Sequence, residues 1–172
     1  SNSQVMAGPY KNTEFVVKSY WGSYDMSSKL LGSYERHIQE KIVEIKNKNN
    51  LEIIINIGAG EGYHIVSLIK NNFFADGIAF ESETESQNLL KDNLKLNNIE
   101  NKVKIYGEAN FDLIKKLNVQ NVNKTLFLID IEGEEFNLLN NRFLELFKKS
   151  YFVIEMHEFI LKDKQKVKNF YE

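Results

Sequence analysis

The stretch IIINIGAGEGYHIVSLI, Ile53 to Ile69, joins an apolar, β-branched run to a helix-like pattern through three glycines, Gly58, Gly60 and Gly62. Leu51 to Ile57 is too short for a lone core helix and is bounded by glycine, which suits a strand buried on both faces of a parallel sheet. Helical spacing resumes over Glu61 to Asn71, so the glycines occupy a strand-to-helix turn at which backbone can approach a ligand closely. The dinucleotide fingerprint G-x-G-x-x-G requires its third glycine where this chain has Tyr63; glycine falls one position earlier, at Gly62. That spacing argues against NAD and FAD, and the phosphate-cradling G-x-x-x-x-G-K-[ST] does not occur.

The alternation continues outward. Tyr34 to Lys48 precedes the first strand as a helix, with Tyr34, Ile38, Ile42 and Ile45 at helical spacing. After the glycine turn come a strand at Asp76 to Glu81 and a helix opening on Ser82-Glu83-Thr84-Glu85, read as a capping box. A strand at Lys102 to Tyr106, a short helix at Asn110 to Leu117 and a second fully buried strand at Thr125 to Ile131 follow. One long helix over Glu134 to Lys148 and a fifth strand at Tyr151 to Met156 complete the pattern. Strands alternating with helices imply right-handed crossovers, and hence an α/β doubly wound, mostly parallel Rossmann-like sheet of order 3-2-1-4-5 with helices on both faces. Residues 1–33 mix aromatics with Gly and Ser without a sustained period and read as an irregular or short-element lead-in to one domain spanning residues 34–172. Ser1-Asn2 has the form of a tag remnant.

At 172 residues the chain suits one domain with a sizeable core. Its formal net charge of −2, without a block of Lys or Arg, argues against nucleic acid as a partner. The absence of cysteine excludes disulfides, zinc ribbons and thiol nucleophiles. No apolar run approaches a membrane span and no signal-peptide pattern opens the chain, so no membrane partner is expected and the expected location is cytoplasmic.

Ligands of such sheets bind beyond the carboxyl ends of the strands. Those ends carry Asn56 and Gly58, then Glu81, then Gly107 and Glu108, then Asp130 and Glu132, then Glu155 and His157. Gathering so many carboxylates at one edge is costly unless they serve a cleft. Glu81, after the second strand, is placed to accept both hydroxyls of a ribose. Asp130 with Glu132, and Glu155 with His157, are two apart and share a face, and adjacent strand ends bring all four together. A magnesium, manganese or iron site is one use of that set, but the favoured reading is a metal-free network that orients substrate hydroxyls, in which His157 beside carboxylates can act as a base. Tyr34 and Glu35 read as helix-start residues, with a ligand role as the alternative.

The glycine turn with Glu81 resembles the S-adenosylmethionine-dependent methyltransferases. Three further stretches, LIDIEGEEFNLL (Leu128 to Leu139), VIEMHEF (Val153 to Phe159) and the upstream LLGSYERHIQEKI (Leu30 to Ile42), are similar to the FkbM-type, FkbM-like bacterial members, which mostly modify hydroxyls of sugars and other small metabolites. The resemblance implies S-adenosyl-L-methionine as cofactor. Its residues would be Asn56, Gly58, Gly60 and Gly62 at the amino-acid end, Glu81 and Ser82 at the ribose, Glu108 and Ala109 at the adenine, and Asp130. It also implies O-methylation of a small-molecule acceptor; strand-end position then makes His157 the expected base, assisted by Asp130 or Glu155, with Glu132 in the same catalytic set. Asn56 departs from the usual acidic residue, though its amide can still hydrogen-bond the cofactor's ammonium. Base-amino methyltransferases are excluded by DIEG in place of [DNS]-P-P-[YFW], and cytosine-C5 enzymes by the missing cysteine.

The rival reading is a non-catalytic binding or scaffold module that retains the pocket; a nicotinamide-dependent oxidoreductase ranks below both because of Tyr63. The superfamily's usual sixth and seventh strands have only Ile160 to Glu172 left to supply them. The expectation is therefore a truncated chain or an open fifth-strand edge, across which a homodimer could form.

Overall fold

Short β-branched runs separated by helices fold here into one sheet. In the computed structural model, which describes residues 4–17, 23–117, 119 and 121–157, the strands are β1 (Ile53–Ile57), β2 (Asp76–Phe80), β3 (Val103–Tyr106), β4 (Thr125–Ile129) and β5 (Tyr151–Ile154). All pair in parallel, in the order β3-β2-β1-β4-β5, with Ile57 level with Phe80 on one side and Ile129 on the other. The Rossmann-like expectation and the strand order both hold, and β1, β2 and β4 end at one level, where the glycine turn begins. Ile160 to Glu172, the stretch left to supply a sixth and seventh strand, lies outside the described residues.

Helices α1 (Ser23–Leu31), α2 (Arg36–Asn49), α3 (Tyr63–Lys70), α4 (Thr84–Leu96), α5 (Phe111–Lys116), α6 (Glu135–Leu138) and α7 (Asn141–Phe147) cover the two faces. Alternation along β1 divides the core: Ile54 packs with Ile42, Ile65 and Leu90 from α2, α3 and α4, whereas Ile55 and Ile57 pack with Ile114, Leu138 and Phe143 from α5, α6 and α7. No helix among the described residues is long and apolar enough to cross a membrane.

Two expectations are corrected, and the lead-in shows a role the sequence did not suggest. The Ser82-to-Glu85 capping box does not form: α4 has Glu83 as N-cap, with no side-chain cap hydrogen bond. The single helix over Glu134 to Lys148 is broken, because the side chain of Asn140 accepts the amides of Arg142 and Phe143 and starts α7 afresh. The lead-in, although irregular apart from α1, contributes to the core: Val5, Tyr10 and Phe15 are buried with α3 and α4. Asparagines of α4 hold it there as a neighbouring strand would. Asn93 Oδ1 accepts the Val16 amide (2.8 Å), while Asn97 accepts from the Glu14 amide (3.0 Å) and donates to the Glu14 carbonyl (2.7 Å).

Candidate functional site

The glycine turn is built from three residues at positive φ, each with a different constraint. Gly58 (φ +78) passes against the end of β4, so that a Cβ there would lie 1.6 Å from the carbonyl oxygen of Asp130. Gly62 (φ +89) lies against the side chains of Leu90 and Val66 and serves as N-cap of α3. Gly60 (φ +54) differs: a Cβ would meet nothing within 4 Å. Its left-handed backbone borders open space, while its amide donates to Glu81 Oε2 at 2.7 Å. The amides of Gly58 and Ala59 both reach the Phe80 carbonyl at 2.9 Å, which fixes the turn to the end of β2.

Glu81 follows β2 directly and is 9% exposed. Oε1 accepts the Glu83 amide at 2.8 Å and Gln87 holds its backbone carbonyl, so the carboxylate is fixed in position beside the turn. The sequence pairing of the glycines with Glu81 is thus a direct contact. Ser82 and Glu108 are exposed and Ala109 is half-buried, all beyond β2 and β3. Asn56 is 3% exposed, on the α3 side of β1, with Nδ2 turned to the Leu128 carbonyl at 3.4 Å.

At the other side of the turn, the ends of β4 and β5 converge on His157, which is 5% exposed. Its Nδ1 lies 2.9 Å from Glu135 Oε1, and its Nε2 faces Glu132 (3.4 Å), Asp130 (3.7 Å) and Glu155 (3.9 Å). The four residues singled out by sequence do meet, although β4 and β5 stop before them and their shared direction comes from loops. Sequence reasoning missed Glu135, the first residue of α6, which is fully buried. Its Oε1 also accepts the Ile131 and Gly133 amides, closing the loop that carries Glu132 at φ 54. An acidic residue just inside a helix that opens on the acidic D-I-E-G-E-E run was the available signal.

Burial pushes the Asp130 carboxyl up to about 7, reinforced by the charges of Glu155 and Glu132 and opposed by His157. Burial alone would lower the His157 value, but the hydrogen bond and charge of Glu135, with Glu132 and Asp130, raise it above the usual histidine range. Asp130 Oδ1 is buried without a hydrogen-bond partner, as is Glu135 Oε2. Donor atoms of Asp130, Glu132 and His157 lie within 4.8 Å of one another, a spacing that a hard divalent cation could also use.

A second polar group, contributed by the lead-in and α2, closes the turn from the α3 side. Lys29 of α1 pairs with Glu61, both nearly buried, and its ammonium stands 4.8 Å from the Tyr34 ring centre. Glu35 Oε2 lies 3.0 Å from His64 Nε2, and His64 Nδ1 lies 2.8 Å from the hydroxyl of the buried Tyr10. Tyr34 packs edge-on against Tyr63 at 5.5 Å. The Glu35–His64 and Tyr10–His64 contacts join residues 29 and 54 apart, beyond the reach of any local motif.

No family model matches the chain, and comparison with curated proteins finds no relative. Solved structures do share its fold. The O-methyltransferase TomG from Streptomyces achromogenes, involved in tomaymycin synthesis and determined with SAM, is similar with a TM-score of 0.61 at 14% identity, over 80% of this chain and 67% of that one. An O-methyltransferase from Bacillus cereus, determined with SAH, is similar with a TM-score of 0.57 at 14% identity, over 78% of this chain and 67% of that one. At such identities the likeness establishes the Rossmann-like architecture.

Proposed function

We propose that the chain is an S-adenosylmethionine-dependent methyltransferase acting on a hydroxyl of a sugar or other small metabolite. The observation that carries this reading is the charge of the turn. Glu81 is fixed to Gly60, Asp130 stands against Gly58 at the end of β4, Glu35 meets His64 at the start of α3, and Lys29 is neutralised by Glu61. Such a turn repels a diphosphate and favours a ligand with a ribose at one end and a cationic tail at the other. The open space over Gly60 and the unpartnered Asp130 Oδ1 fit the same ligand. The fold shared with O-methyltransferases determined with SAM or SAH agrees with it, and the FkbM-like motifs favour a hydroxyl acceptor.

When bound, the cofactor supplies a methyl carbon already activated by its sulfonium. The chain's residues then have to align the acceptor, exclude water and take the proton released as the new C–O bond forms and the C–S bond breaks. Glu135 holds His157 by Nδ1, which aims Nε2 at the carboxylates closing the cleft. Asp130, pushed up to about 7, and His157, raised above the usual histidine range by its carboxylate neighbours, form a coupled acceptor pair suited to take a proton from an alcohol. Glu132 and Glu155, more exposed, orient the acceptor's hydroxyls.

Calorimetry with S-adenosylmethionine, S-adenosylhomocysteine and NAD tests the reading, followed by a methyl-transfer screen over sugars and small metabolites. Binding of both adenosyl ligands but not NAD, with transfer to a hydroxyl, is expected. Binding without transfer to any acceptor would favour the scaffold reading, and no binding of either adenosyl ligand would overturn the proposal.

A further inference from the structure

We infer that Glu35, aimed by His64 and walled by Tyr34, receives the ammonium group of the bound cofactor's amino-acid tail. The inference rests on the adenosylmethionine reading and adds to it a residue from outside the strand-end motifs.

Position comes first. The sheet order β2-β1-β4 puts Glu81 on one side of the glycine turn and Asp130 on the other. A ligand held by its ribose at Glu81 and laid over Gly60 delivers its opposite end to the β4 side. Asn56, the residue that the superfamily resemblance assigns to that end, instead turns its amide to the Leu128 carbonyl inside the sheet. Glu35 is brought to the start of α3, where its carboxylate meets His64, two residues after Gly62.

Local geometry comes second. Glu35 precedes α2 in the left-handed region (φ 45, ψ 40), a strained conformation for a non-glycine residue. It makes no side-chain cap to the helix it begins. Its carboxylate is given instead to the His64 ring (3.0 Å), and His64 is braced in turn by Tyr10 (2.8 Å). Burial would raise the Glu35 carboxyl, but the His64 and Tyr34 hydrogen bonds and the charges of His64 and Lys29 lower it, so an anion is maintained there. With its side chain 28% exposed, Glu35 retains an accessible edge. An anion held in a strained backbone, cross-braced through the His64 and Tyr10 rings and with an accessible edge, is complementary to a small cation with several N–H donors.

The test compares two probes that differ in the tail alone: S-adenosylhomocysteine, and 5′-deoxy-5′-methylthioadenosine, which keeps the adenosine and sulfur but has no amino acid. By calorimetry, Glu35→Gln should weaken S-adenosylhomocysteine roughly ten- to a hundredfold while leaving methylthioadenosine within about twofold. Unchanged S-adenosylhomocysteine affinity, or an equal loss for both probes, would overturn the assignment while leaving the cofactor reading intact. If the wild-type chain binds neither probe, both readings fall. Should Glu35→Gln fail to fold, Glu35→Asp, which keeps the charge on a shorter arm, must show the same selective loss, and equal affinities in that variant would count against the inference.

Discussion

Nδ1 of His157 lies 2.9 Å from Oε1 of Glu135, and that one oxygen also receives the amides of Ile131 and Gly133. Glu135 therefore fixes the ring and the loop carrying Glu132 together. As a positioning residue, it predicts two effects of Glu135→Gln: a fall in turnover, and a His157 titration moved to lower pH, because part of what raises that value is removed. NMR titration of the His157 ring checks the second. Glu135→Ala leaves the buried ring without its partner and should cost roughly 3–5 kcal/mol in denaturant unfolding.

The pH dependence of stability follows from Asp130 and His157. Both have folded-state values above their unfolded ones, so the stability each contributes is full below the unfolded value and is lost as pH rises through the folded one. For Asp130 the loss spans the ordinary aspartate value to about 7. Asp130→Asn should flatten the fall in urea midpoint across that window and make the protein more stable than wild type above it, while impairing turnover. A wild-type midpoint that rises across the window in step with the variant's would contradict the assignment.

Two glycines of the turn should separate folding from binding. Gly58→Ala drives a methyl into the Asp130 carbonyl and should unfold or strongly destabilise the chain. Gly60→Ala has room for its methyl and should cost about 1–2 kcal/mol for the left-handed backbone. That methyl projects into the space proposed for the ligand, so S-adenosylhomocysteine binding should be lost from a folded protein, as calorimetry and thermal melting together would show.

Methyl transfer should survive dialysis against a chelator. Glu135, Asp130 and Glu132 already supply His157 with anionic partners on both ring nitrogens, and proton transfer needs nothing further. Restoration of activity by magnesium or manganese after chelation would instead assign Asp130, Glu132 and His157 to a cation.

The sheet was readable because β1 and β4 are buried on both faces and therefore spell continuous apolar runs. The break at Asn140 was not, since Phe136, Leu139, Phe143 and Phe147 keep a helical period across it; only the Asn140 side chain, capping α7, reveals the interruption. Asn140→Ala should cost about 1 kcal/mol, measurable by unfolding. At the site, Glu81, His157 and the three carboxylates facing its Nε2 were visible because strand ends are predictable places. The Tyr10–His64–Glu35 chain was not, because it depends on three segments brought together by packing. Val5, Tyr10 and Phe15 follow no period and so gave no sign of entering the core.

The asparagine seam between residues 14–16 and α4 has a kinetic consequence. Its hydrogen bonds join positions 77 and 83 residues apart, so the seam can close only after α4 has formed on the sheet. Such late, long-range closures open first in native-state fluctuations. An excursion that peels the amino-terminal strap away takes Tyr10 from His64 and leaves Glu35 unsupported, while the glycine turn and Glu81 stay locked to β2. Exchange of the Val16 amide would then time the opening of one half of the cleft independently of the other.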